Sequence, residues 1–126
     1  MTVEHLARFL KLAKRARSRS TARDYSIRIG CVIVKRSRVI GVGWNTPNKT
    51  HPKCLKPYRK FHAEDAALFS CTEDPRGATA VVYREYQDGS LALSKPCEHC
   101  HGVLSAAGIA SICYSSPEGF VLEQLT

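Results

Sequence analysis

The sequence has 126 residues, enough for a single domain, 1–126, built around one core. With 44% hydrophobic and 24% charged residues it excludes a disordered or fibrous chain, and no apolar run approaches the roughly 20 residues of a membrane-spanning helix. The formal charge of +8 is unevenly spread: residues 1–61 carry 16 Lys and Arg against Glu4 and Asp24, whereas residues 62–126 carry Arg76, Arg84 and Lys95 against nine acids. Such asymmetry points to a phosphate-bearing partner or substrate, although a solvated helix face also accounts for much of it.

Residues 3–17 place Leu6, Phe9, Leu10 and Ala13 on one helical face, with Lys11, Lys14, Arg15 and Arg17 expected on the others. Ile27 to Val34 alternates and then becomes continuously apolar, the pattern of a buried strand. Lys35-Arg36-Ser37 reads as a turn, and Val39 to Trp44 as a second strand pairing back on the first. A Pro-, Asn- and Lys-rich loop from Asn45 to about Lys60 follows. Residues 62–71 look helical, Ala78 to Tyr83 extended, residues 97–107 helical up to Gly108, and Ile109 to Tyr114 extended. Only Ser115 to Gly119 separates that strand from the last apolar run, Phe120 to Leu125. A parallel neighbour needs a crossover of about a dozen residues or more, so the last two strands must form an antiparallel hairpin. The predicted fold is an α/β/α three-layer sandwich on a mixed five-stranded sheet.

Six cysteines suit a disulfide framework in a secreted protein, but Glu4, His5, Arg8 and Lys11 interrupt the start, so no secretory apolar segment is expected. The Arg- and Ser-rich stretch Arg15 to Arg23 has transit-peptide composition, yet it runs directly into a strand pattern. A cytoplasmic, thiol-reduced protein is expected, in which paired cysteines serve metal binding or catalysis.

Two segments carry the chemistry, His62-Ala63-Glu64 and Pro96-Cys97-Glu98-His99-Cys100, each opening a predicted helix. Two thiolates three positions apart reach one Zn²⁺, and an imidazole from a second helix makes three protein ligands, leaving a fourth position for water. Alone, His-x-Glu recurs by chance, and Cys-x-x-Cys serves equally as a redox pair or half a zinc knuckle. Together, in this order, they match the zinc deaminase signature H-x-E…P-C-x-x-C. On these motifs the sequence resembles the cytidine deaminase-like superfamily, which includes free cytidine and deoxycytidylate deaminases, tRNA adenosine deaminases and polynucleotide cytosine deaminases. The resemblance implies that His62, Cys97 and Cys100 bind zinc and that Glu64 shuttles protons. It extends to Gly43-Trp44-Asn45, where Asn45 would hold the sugar; the plainer reading is that Asn45 opens a turn. The Ala63 backbone and the segment Ser94-Lys95-Pro96 would touch the base edge.

Within the superfamily, an antiparallel final hairpin resembles the division of free cytidine deaminases, which favours cytosine over adenine. Those enzymes commonly have Cys-Ala-Glu where this chain has His62-Ala63-Glu64, a departure that counts against a housekeeping cytidine deaminase. The reaction implied is hydrolytic deamination of a cytosine nucleoside or nucleotide, with nucleic acid as the competing substrate through the basic N-terminal half. Lys49, Lys53, Lys56, Arg59 and Lys60, with Tyr58 and Phe61, suit a phosphate near the pocket, or equally a solvated loop. A structural zinc module, with His101 or Cys71 as fourth ligand, is the non-catalytic alternative. Cys31 and Cys113 read as core residues, and a homo-oligomer is implied by the resemblance.

Overall fold

The computed structural model describes residues 3–20, 28–47 and 60–125. A 3-10 turn, Glu4–Leu6, leads into α1 (Ala7–Arg17), followed by β1 (Ile29–Lys35) and β2 (Arg38–Trp44). Two short strands come next, β3 (Thr46–Pro47) and β4 (Lys60–Phe61), then α2 (Ala63–Phe69), β5 (Thr79–Arg84), α3 (Glu98–Ala106), β6 (Ser111–Ser116) and β7 (Gly119–Gln124). The main sheet has the order β2-β1-β5-β6-β7, and only the β5–β6 pair is parallel. α3 supplies the crossover that this parallel pair requires.

The period-2 alternation of the central strands sorts their side chains onto two faces. Cys31, Ile33, Ala80, Val82, Ile112 and Tyr114 pack with Ala63 and Ala67 of α2 and Leu104 of α3. Val32, Val34, Val81, Tyr83 and Cys113 pack with Leu6, Phe9, Leu10 and Ala13 on the opposite side. The three expected layers are therefore present, with one helix on one face and two on the other. Cys31 and Cys113 are core residues, as read from the sequence, one on each face.

The β1–β2 connection is a two-residue turn in which Arg36 (φ 52°) and Ser37 (φ 64°) are both left-handed. That is the geometry matching the twist of the flanking strands, though here without the usual Asn or Gly. The Arg8 guanidinium donates to the Ser37 carbonyl (2.8 Å), tying the turn to α1. At the other end of the chain β6 and β7 form the expected antiparallel hairpin, but its turn is only Pro117-Glu118, because Ser115 and Ser116 remain in the ladder. The start of β6 shifts correspondingly. Ile109 belongs to the cap of α3: its N–H bonds to the Leu104 carbonyl (3.1 Å) while Gly108, at φ 84°, bonds to Ser105 (3.0 Å). This double bond pattern with a left-handed residue is a Schellman cap, and Ile109 and Leu104 meet in the core.

One expectation is overturned. Arg17 does not decorate a solvent face of α1; it is 2% exposed. It continues the inward series Leu6, Leu10, Ala13 at helical spacing, and its guanidinium donates to Glu85 Oε1 (2.9 Å). Glu85 also accepts from the Tyr83 hydroxyl (2.7 Å) and faces Lys14 (3.6 Å). Burial and the Glu85 carboxylate together push the Tyr83 phenol up to about 12. The run Leu91-Ala92-Leu93 makes only an isolated bridge, Glu85 with Leu91. No helix among the described residues is long and apolar enough to cross a membrane.

Candidate active site and metal centre

The candidate ligands converge because two helices begin at the same end of the sheet. Gly43, near the end of β2, lies against α2: a Cβ there would run into Ala67 N and the Ala63 carbonyl. Only a residue without a side chain lets the helix come this close. Asn45 N–H donates to the Ile29 carbonyl (3.2 Å), and Ile29 N–H donates to Asn45 Oδ1 (2.9 Å), closing β2 onto the start of β1. The chain leaves through β3 and returns through β4, with Thr46 opposite Phe61 and Pro47 opposite Lys60. His62 follows at once as the N-cap of α2, in extended geometry (φ −74°, ψ 151°). Lys49, Lys53, Lys56, Tyr58 and Arg59, expected to suit a phosphate near the pocket, lie outside the described residues.

The second half-site follows β5. The segment after Arg84 is pinned by a serine pair in which Ser94 Oγ donates to the Val82 carbonyl (2.9 Å) and accepts from Ser115 N–H (2.8 Å). Ser94 N–H donates to the Ser115 carbonyl (2.9 Å), and Ser115 Oγ accepts from Arg84 N–H (3.0 Å). Lys95 Nζ reaches Glu123 on β7 (3.6 Å). Cys97 is then the N-cap of α3 (φ −66°, ψ 168°), and Cys100 lies in its first turn.

His62, Cys97 and Cys100 come together, each offering one ligand atom, all within 4.8 Å of one another. His62 Nδ1 stands 3.1 Å from Cys100 Sγ and 3.8 Å from Cys97 Sγ. One nitrogen and two sulfurs from three side chains are the donor set of a catalytic zinc site. Cys100 is fully buried, whereas Cys97 is exposed. Burial, then the charges of Glu64, Cys97 and Asp65, push the Cys100 thiol well up. Neither His101 nor Cys71 belongs to this group; Cys71 Sγ bonds instead to the Ala67 carbonyl (3.5 Å).

Glu64 is buried in the first turn of α2, two residues beyond His62 and 4% exposed, and Ala63 beside it is buried. Asn45 and Ser94 are held by the backbone bonds described above, and Lys95 is drawn toward β7. Trp44 is half-buried, with the Arg19 guanidinium 5.4 Å from its ring centroid. Sequence reasoning missed Ser115 and Asp65. The adjacent pair Ser115-Ser116 inside a buried strand was the available signal for Ser115; Asp65 follows the His62-Ala63-Glu64 motif and gave none.

The sequence matches, over residues 3–116, the family described as the cytidine and deoxycytidylate deaminase zinc-binding region. It is 34% identical over 122 residues to deoxycytidylate deaminase of Saccharomyces cerevisiae, an alignment covering 85% of this chain and 36% of that protein. It is also 34% identical over 114 residues to the riboflavin biosynthesis protein RibD of Escherichia coli (strain K12), covering 86% of this chain and 25% of the relative. The chain thus spans about a third and a quarter of these curated relatives. A crystal structure of cytidine deaminase from Burkholderia pseudomallei shares the fold, with a TM-score of 0.70 over 99% of this chain and 94% of that one at 22% identity. The family match includes both halves of the His-Cys-Cys cluster and Glu64. This chain belongs to the cytidine and deoxycytidylate deaminase zinc-binding family.

Proposed function

We propose that the chain hydrolytically deaminates a cytosine base carried by a nucleoside or nucleotide, giving the uracil form and ammonia. The observation that carries this reading is a three-ligand cluster of His62, Cys97 and Cys100 with a buried carboxyl two residues from the histidine. Zinc, when bound by these residues, supplies Lewis acidity that makes water a usable nucleophile near neutral pH. Glu64 takes one proton from the attacking water and gives it to the ring nitrogen, then carries the second proton of that water to the departing amine, which leaves as ammonia. Low exposure keeps this carboxyl out of bulk water during both transfers. Asn45, whose amide is oriented by Ile29, is the proposed sugar contact. The Ala63 backbone and the segment Ser94-Lys95 are the proposed contacts to the base edge, with the Ser94 hydroxyl holding that segment against β5 and β6.

A deoxycytidylate deaminase among the relatives supports a nucleotide substrate. RibD supports a second reading, a phosphoribosylated aminopyrimidine, whose exocyclic amine is open to the same hydrolysis. A single-stranded polynucleotide is the third, resting on the basic surface of α1 at Lys11, Lys14 and Arg15. Assembly as a homo-oligomer in the cytoplasm is proposed from the family resemblance. The test is a panel of cytidine, deoxycytidine, their monophosphates, single-stranded DNA, RNA and adenosine at two salt concentrations, read by mass spectrometry. Conversion of a free cytosine nucleotide or nucleoside, insensitive to salt, is expected; conversion of the polymer alone, falling steeply with salt, would overturn the assignment. In the same assay Glu64→Gln should hold zinc at wild-type stoichiometry while losing about 10²–10⁴-fold in rate.

A further inference from the structure

One buried carboxyl beside the cluster has no part in the chemistry above. Asp65 lies in the first turn of α2, 2% exposed, and its Oδ2 makes no hydrogen bond among the described residues. Its Oδ1 lies 3.9 Å from Nε2 of His99, which stands in α3 between Cys97 and Cys100. The His99 ring is edge-on to that of His62, with 6.4 Å between centroids.

Burying a carboxyl with an unsatisfied oxygen is unfavourable, so stability alone does not account for it. What the contact does is cross a gap. The metal cluster is split between two helices, His62 opening α2 and both cysteines on α3, and the cluster forms only if these first turns stay in register. We propose that Asp65 and His99 form a cross-helix pair that holds the His62 half-site against the Cys97–Cys100 half-site before metal arrives. Both are positioning residues and neither is a ligand. The inference rests on the metal centre and not on the identity of the substrate.

The experiment measures zinc affinity of the full chain by competition with a chromogenic chelator, and Co²⁺ binding by its thiolate absorption band. The proteins are wild type, Asp65→Asn, His99→Gln and the double variant. Outer partners of metal ligands are worth about 10–100-fold in affinity, so each single change should weaken zinc by about tenfold or more. The double variant should be no weaker than the weaker single, since either change breaks the same pair. The melting temperature of the metal-free variants should fall by no more than the few degrees that a loss of about tenfold in affinity corresponds to, whereas a merely structural role would lower Tm and leave zinc affinity unchanged. Singles within about twofold of wild type, or a double loss equal to the product of the singles, would overturn the pairing. His99→Gln, at a half-exposed ring, keeps the test readable if Asp65→Asn does not fold. A wild type that holds no zinc overturns the metal centre itself. A zinc-loaded wild type that converts nothing in the substrate panel overturns the proposed reaction, and the affinities still decide the pairing.

Discussion

Replacing Glu85 by Gln removes the carboxylate that faces a buried guanidinium. Arg17 is 2% exposed, and its charge is met by Glu85 Oε1 at 2.9 Å; Lys14, at 3.6 Å, is mostly in solvent and contributes little. Removing one partner of a buried pair costs about 3–5 kcal/mol, because the other charge stays buried. For 126 residues the unfolding entropy is about 0.26 kcal/mol/K, so a loss of about 3 kcal/mol lowers Tm by about 11 °C. Arg17→Met should cost clearly less, since Glu85 keeps the Tyr83 hydroxyl and can draw on Lys14. The double variant Arg17→Met/Glu85→Gln should be more stable than Glu85→Gln alone, because the buried charge goes together with its carboxylate and the amide oxygen still accepts from Tyr83. Urea unfolding followed by circular dichroism measures all four proteins. A loss below about 1 kcal/mol for Glu85→Gln, or simple additivity in the double variant, would refute the reasoning. A second readout is the phenol of Tyr83. Its folded pKa of about 12 lies above the ordinary value, so its contribution to stability is present below pH 10 and lost as pH rises toward 12. Glu85→Gln should lower that pKa and narrow the window, as seen by tyrosinate absorbance.

Arg36→Asn combined with Ser37→Gly gives the two left-handed positions residues suited to them, and should stabilise the chain by about 1 kcal/mol, or about 4 °C in Tm. Gly43→Val forces β2 and α2 apart at Ala63 and Ala67, so zinc should be lost together with stability; tight zinc binding at wild-type Tm would argue against the close approach as the determinant. Zinc at about 100 times its Kd should stabilise the wild type by about 2.7 kcal/mol, and Cys97→Ala should abolish most of that shift in a thermal melt with and without chelator.

Much of this architecture was legible because the signals were local. Ile27 to Val34 reads as a buried strand from its own composition, and the Ser115–Gly119 link fixes the direction of the last pair by length alone. The cluster was legible because two motifs name both its ligands and the helices that carry them. What escaped were partners rather than positions. Arg17 obeys the inward spacing of α1, but nothing in the sequence names Glu85, 68 residues away, as the acid that makes its burial tolerable. Asp65 and His99 likewise meet only across two helices. The antiparallel hairpin favours cytosine by resemblance, and the sequence relatives include a deoxycytidylate deaminase as well as RibD, so strand direction alone does not say which pyrimidine is deaminated.

The small pairing of β3 with β4 has a further consequence. Thr46–Phe61 and Pro47–Lys60 bring the two backbones together immediately before His62, so the N-cap of α2 is anchored by a ladder of its own. The histidine is thereby gripped from both sides, by the β3–β4 pair before it and by α2 after it, so opening that pair would loosen a candidate ligand without touching the main sheet.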